Sequence, residues 1–417
     1  MKLKELTQKI GSGATPSGGK NAYLGGDISL IRSQNVLDFE FCTDGLAHID
    51  DQQASKLANV EVRADDVLLN ITGDSVARCC RTTKDILPAR VNQHVSIIRP
   101  KEGISSSYLM YWLLFMKPHL LKICKIGGTR NAITKETLEE LDIDYPAHAS
   151  ALIKPLEAID AKIAVNKKLI HELEETTRLI YDNWFTQFDF PDENGKPYRS
   201  SGGKMVWNDQ LKREIPEGWE AGAIGDFIEG VRTGLNPRNN FKLTDSGWAY
   251  LTVKNLTATG EIDFSSCDYI DDKAREIAHK RSDVSKGDVL FASISPLGRC
   301  HLVQSDPEDW EINESVFSIR PNTAVASSEF LYMFFTSPWF VKAAEGNSTG
   351  SVFKGIRHEE LRAVKTFIPE FNIIQDFTEK VAILLKTVNY LSCENEELVS
   401  LRDWLLPMFM NGQAKVS

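Results

Sequence analysis

The chain has 417 residues, 42% of them hydrophobic and 25% charged, an ordinary globular composition with enough apolar material for two domain cores. No stretch approaches the ~18 uninterrupted apolar residues of a membrane span, and the opening Met1-Lys-Leu-Lys lacks the apolar run of a secretory leader, so a cytoplasmic protein with no membrane partner is expected. The formal charge of −10 argues against a protein that grips nucleic acid by bulk electrostatics: 1–150 hold equal numbers of basic and acidic residues, and 217–370 hold 16 basic against 23 acidic.

The first 150 residues alternate short strand-like runs with Gly, Pro, Asn and Ser, as in YLGGDISLIRSQNV, which predicts a β-rich, loop-rich domain. From 151 to 190 the residues Leu152, Leu156, Ile159, Ile163, Ile170, Leu173, Ile180 and Trp184 fall on alternating four- and three-residue steps, with Asn166 and Thr177 in phase; this is a coiled-coil seam. Pro155 confines the start of that helix to 151–155. The stretch 191–216, with PDENGKPYRSSGGK, has the composition of an exposed connector. A second β-rich domain is expected over 217–370. A second heptad helix follows over 371–412, through Ile374, Phe377, Val381, Leu384, Val388, Leu391, Leu398 and Leu405 until Pro407 stops it, leaving 413–417 as a tail. Each helix is ~50 Å long, and the chain's return makes an antiparallel pair the simplest packing.

The two β-rich segments repeat one another. VNQHVSIIRP (91–100) reappears as INESVFSIRP (312–321), and Asp66-Val67-Leu68 reappears as Asp288-Val289-Leu290. Pro146 matches Pro369 and Asn35 matches Asn255, with all offsets between 220 and 223. Collinear matches at one offset mean a duplicated unit. The expected fold is therefore α+β: two β-rich domains separated by two long antiparallel coiled-coil helices, with an internal pseudo-two-fold repeat.

Enzymatic signatures fail on spacing. GATPSGGKN lacks the Gly-Lys-Ser/Thr order of a phosphate-binding loop, and Asn236-Pro237-Arg238 lacks the second proline and aromatic residue of an adenine-methylase tetrapeptide. PDENGK crowds its carboxylates into one linker, unlike a metal-dependent nuclease. Seven cysteines without a C-x-x-C pair and eight histidines without ligand spacing predict no metal site. What remains is polar, Gly-flanked loops present in both copies. KICKIGGTRNAITKE (122–136) and GNSTGSVFKGIRHE (346–359) offer cations and close-approaching glycine amides to a phosphate. RSQN and VKNL set a cation beside an asparagine, side chains that suit guanine and adenine edges; the same asparagines equally suit turn caps. The candidate DNA contacts are Thr15, Arg32, Asn35, Asn70, Thr72, Arg78, Asn92, Lys125, Arg130 and Asn131 in the first copy. In the second they are Thr233, Arg238, Lys254, Asn255, Ser293, Arg299, Asn313, Lys354 and Arg357.

The helix text LEAIDAKIAVNKKLIHELEETTRLIYDNWF, the linker DFPDENGKPYRSSGGKMVWND and the ending LRDWLLPMFMNG give the chain its family resemblance. It resembles the specificity (S) subunits of Type I restriction-modification enzymes over essentially its whole length. The resemblance implies two target-recognition domains, each reading half of a split double-stranded DNA target, with the helices as spacer. It implies two modification (M) methyltransferase subunits and restriction (R) subunits as partners. Leu156, Ile163, Ile170, Leu173 and Trp184, with Val381, Leu384, Val388, Leu398 and Leu405, are the candidate partner-binding residues. No catalytic residue or cofactor is expected in this chain; S-adenosylmethionine, ATP and Mg²⁺ would belong to the partners. From helix length and groove repeat, the unspecified gap between half-sites is expected to be ~5–8 base pairs. The alternative is a duplicated coiled-coil adaptor with no direct DNA role.

Overall fold

The computed structural model describes residues 1–16, 23, 25–124, 132–347 and 355–414. Two compact units form, one from Met1–Val165 with Asn395–Ser417 and the other from Asn166–Glu394. Each long helix is divided between them, so the packing units cut across the linear segments expected above.

In the first unit, strand Thr7–Ser12 is the edge of a four-stranded antiparallel sheet that continues through Val95–Pro100, Val67–Asn70 and Cys79–Arg81. Side chains alternate across this sheet, and both faces are buried. Val67, Leu69, Cys79 and Ile98 enter a core with the helix Ser106–Phe115. Leu68, Cys80 and Ile97 enter a second core with Leu30, Ile31 and Val91. Burial on both faces is why the strand sequence Val-Leu-Leu is continuously apolar. The second core lies under another four-stranded sheet, ordered Ala47–Ile49, Ile28–Ile31, Ala89–Val91 and Glu61–Val62, whose middle pair is parallel.

The second unit repeats this plan with Ile228–Thr233 at the edge, then Val316–Pro321, Val289–Ala292 and Cys300–Leu302. Its second sheet has three strands, with Trp248–Leu251 parallel to Trp310–Ile312. Both edge strands shift register at the matched point, between Thr7 and Lys9 and between Ile228 and Gly230. Each main sheet buries one matched ion pair. Arg99 Nε and Nη2 each lie 2.7 Å from the Asp66 carboxylate, and Arg320 Nε and Nη2 lie 2.8 and 3.0 Å from that of Asp288.

The first long helix runs Lys154–Tyr181 and ends in a π turn over Asp182–Thr186; Pro155 sits in its first turn. The second runs Phe371–Met410. Within the first unit, Leu156 shares a core with Leu406, Phe409 and Met410, and Arg402 Nη1 meets Asp160 Oδ1 at 3.0 Å. Within the second, Asn166 Nδ2 donates to Glu394 Oε2 at 2.7 Å, and the rings of Tyr181 and Trp184 lie 6.0 and 5.9 Å from Phe377. Rising numbers on one helix meet falling numbers on the other, so the pairing is antiparallel. The in-phase polar residues Asn166 and Arg402 are buried with partners, the arrangement that fixes register in a seam.

Two expectations are corrected. Pro407 does not end the second helix, which continues to Met410 with Asn411 N donating to Pro407 O; the proline forfeits the one bond its own N–H would have made, and the last turn closes beyond it. Nor is 191–216 a bare connector. It holds a hairpin of Met205–Asn208 with Arg213–Pro216, and Tyr198 and Trp219 each stack on Phe190, at 4.7 and 5.3 Å.

Candidate nucleic-acid interface

At one end of each main sheet, three loops are tied together in the same way. In the first unit the chain leaving the edge strand is fixed by Gly13 N donating to Asn92 O, the loop after Asn70 by Ile71 N donating to His94 O, and the segment before the helix Lys135–Glu139 by Ile133 N donating to Ile71 O. In the second unit Ser293 N donates to Ser315 O and Ile356 N to Ser293 O, while Leu235 bridges Asn313. The close approach depends on glycine. A Cβ on Gly13 would lie 1.8 Å from Val91 O, and one on Gly234 would lie 1.7 Å from Ile312 O.

Several candidate contacts turn out to be the scaffold of these loops. Asn35 and Asn255 have no exposed surface. The Asn35 carboxamide oxygen accepts from Arg32 N and its Nδ2 donates to Cys42 O; in Asn255 the oxygen accepts from Thr252 N and Nδ2 donates to Asp263 O. Asn70 is equally buried, with Nδ2 on the carbonyls of Ser33 and Val36. Asn92 and Asn313 accept from the backbone two residues on, at His94 N and Ser315 N. Thr233 and Ser293 are buried too, Ser293 donating to Ser315 O. These seven are buried in the fold, and the groups bonded there serve the turns first; Asn70 Oδ1 is buried without a partner among the described residues.

The remaining described candidates keep surface. Thr15, Arg238, Lys254 and Arg357 are exposed, and Arg32, Thr72, Arg78 and Arg299 are half-buried. Arg32 Nη2 donates to Gly45 O, Arg299 Nη1 donates to Leu256 O, and Lys254 lies 3.6 Å from Asp268. Thr15 and Thr72 come together around the loop end of the first unit, whereas Arg32 and Lys254 sit beside their buried asparagines. Lys125, Arg130, Asn131 and Lys354 lie outside the described residues.

Sequence reasoning missed four side chains at the same loop ends: Gln93, His94, Asn236 and Glu314. Thr15 Oγ1 donates to Gln93 Oε1 at 2.6 Å, Gln93 Nε2 donates to His94 Nε2 at 2.8 Å, and the other ring nitrogen of His94 is 2.5 Å from Thr72 Oγ1. In the second unit Asn236 Nδ2 donates to Glu314 Oε1 at 2.6 Å. The signal was present in the repeated decamer, at the positions where its two copies differ.

The expected partner-binding set divides by burial. Leu156, Ile163, Ile170, Trp184 and Val381 are buried within the chain's own packing, while Leu173, Leu384, Val388, Leu398 and Leu405 are half-buried. A residue that fills the seam cannot also fill a partner. The apolar side chains that do face outward are others: Leu169, Leu179, Ile383 and Tyr390 in the second unit, and Val165, Leu401 and Trp404 in the first. Among the described residues, no helix is long and apolar enough to cross a membrane.

Residues 1–175 match the family described as the Type I restriction modification DNA specificity domain. The whole chain is 24% identical to the MjaIX specificity subunit of Methanocaldococcus jannaschii, the alignment covering 93% of that relative. It is 20% identical, over 94% of its length and 95% of the relative's, to the HindI specificity subunit of Haemophilus influenzae. The fold is shared with the S subunit of a Type I restriction-modification system from M. genitalium, at a TM-score of 0.58 and 12% identity over 100% of this chain and 96% of that one. Residues 1–175 thus match a Type I restriction modification DNA specificity domain, and the whole chain is similar, end to end, to specificity subunits of Type I restriction enzymes.

Proposed function

We propose that each unit reads one half of a bipartite, asymmetric DNA target, and that the chain carries its adenine-N6 methyltransferase and restriction-translocase partners to that target without catalysing a step itself. The observation that carries this reading is the loop cluster built twice: the same sheet end and the same backbone ties present different side chains, as two different half-sites require. S-adenosylmethionine, ATP and Mg²⁺ then belong to the partner subunits. The deficit of positive charge over 217–370 leaves little sequence-independent affinity in this chain, so partners must supply much of the phosphate contact.

Two modification subunits are proposed to dock on the outward apolar residues of the helices. Ile383, Tyr390 and Trp404 recur at heptad multiples on the second helix, away from the seam. The two half-sites are proposed to be separated by ~5–8 unspecified base pairs, the spacing at which a reader of this helix length meets one face of the duplex. Methylation mapping in a host expressing the chain with its methyltransferase tests the proposal. A split, adenine-containing motif methylated only when this chain is present is the expected result; methylation independent of the chain would favour an adaptor with no DNA role.

A further inference from the structure

Thr15 with Gln93 in the first copy, and Asn236 with Glu314 in the second, occupy matched positions displaced by 221 residues. In both, a residue of the loop leaving the edge strand holds the side chain that follows a buried asparagine, at 2.6 Å. The glycine packed against the neighbouring strand carbonyl, Gly13 or Gly234, brings that loop within reach. The construction is common to both copies, and only the chemistry of the presented group changes.

That chemistry differs in what is left unfilled. A carboxamide has two N–H donors and two acceptor lone pairs. Gln93 uses one acceptor on Thr15 and one donor on His94, whose ring is held in turn by Thr72. Among the described residues one N–H and one lone pair stay open, the combination that glutamine presents to N7 and N6 of adenine in the major groove. Glu314 can only accept. Its Oε1 takes Asn236, and its Oε2 is shielded from solvent with no partner among the described residues. What it lacks is a donor, and the base edge that carboxylates read by this route is the N4 amine of cytosine.

We infer that Gln93 and Glu314 are the matched base-reading residues of the two copies, Gln93 for an adenine and Glu314 for a cytosine. Thr15, His94 and Asn236 are their positioning residues. The inference rests on the DNA-reading function proposed above.

The full chain, assembled with its methyltransferase partner, is used to capture duplexes from a random-sequence library, and base preference is read position by position. Gln93→Glu and Glu314→Gln keep shape and exchange the chemistry, so the fold is retained; melting curves verify this. Gln93→Glu is expected to move one position of one half-site away from adenine, and Glu314→Gln one position of the other half away from cytosine. Each relative enrichment changes by roughly 5- to 150-fold, the range of a good base contact. Thr15→Val broadens the same position as Gln93→Glu and no other. Unchanged preference at every position, or an equal loss on all sequences, overturns the inference and leaves the proposed function standing. A wild-type assembly that enriches no sequence overturns the proposed function itself.

Discussion

After its buried asparagine the first copy carries Gln93 and His94; after the matching asparagine the second carries Glu314 and Ser315. In their interiors the two copies bury the same groups: an Asp–Arg pair, a turn-holding asparagine, and a glycine against a strand carbonyl. A duplicated scaffold keeps what its interior demands, because a buried polar group without its partner is costly. It is free to change where a side chain meets something outside. Identity between the copies therefore marks the frame, and difference marks the surface proposed to read DNA.

The strongest way to break this comparison is to remove a shared interior pair. Asp66 and Asp288 are each 1% exposed, so Arg99→Leu or Arg320→Leu leaves an uncompensated buried charge and should destabilise its own unit by about 3–5 kcal/mol. Denaturant melts of the two variants check it. Comparable losses support a shared structural role; a stable variant that has lost sequence preference would move the arginine to the reading surface.

A smaller effect separates turn caps from base readers. Asn35→Ala and Asn255→Ala each strand backbone groups inside the fold and should cost about 1–3 kcal/mol. Capture from a random duplex library should then show equal weakening on all sequences, with no single base relaxed.

The copies also differ in one titrating group. Glu174, on the half of the first helix that belongs to the second unit, has a buried Oε1 with no partner among the described residues. Burial, with Glu261 beside it, pushes its carboxyl up to about 7 from an ordinary 4.5. The folded state therefore holds a proton there that the unfolded state has released between those values. Stability of the second unit should fall as pH rises from 4.5 to 7, and Glu174→Gln should flatten that fall. Melting temperatures across pH 4.5–8 for wild type and variant provide the check; parallel curves would remove Glu174 from the account.

The smallest stability effect belongs to the outward helix faces. Replacing Ile383 and Tyr390 by Ser should change stability by no more than about 0.5 kcal/mol, while weakening assembly with the methyltransferase subunit. Native mass spectrometry measures the assembly, and unchanged stoichiometry and affinity would move the docking surface elsewhere.

Much of the fold was legible because its causes are local or periodic. The heptad steps from Leu152 to Trp184 mark a helix whose seam is buried, and the collinear offset of Asp66 and Asp288 marks a repeated sheet. The linker misled because Phe190 finds Tyr198 and Trp219 across a fold that composition does not show. The loops were read unevenly for a different reason: Asn35 and Asn255 stood out by being the same and lie buried in the frame, whereas Gln93 and Glu314 differ and so drew no notice. An outward helix face is hard to read because the apolar phase that identifies a coiled coil is the one the coiled coil consumes, leaving Ile383 and Trp404 out of phase and outside.

The central claim, that each copy reads its own half of one target, is tested most directly by exchanging 1–150 for the matching segment of a similar specificity subunit and sequencing the methylated motif in a host expressing the hybrid. The account predicts that one half of the motif changes while the other half is retained. A motif altered in both halves, or in neither, would contradict it.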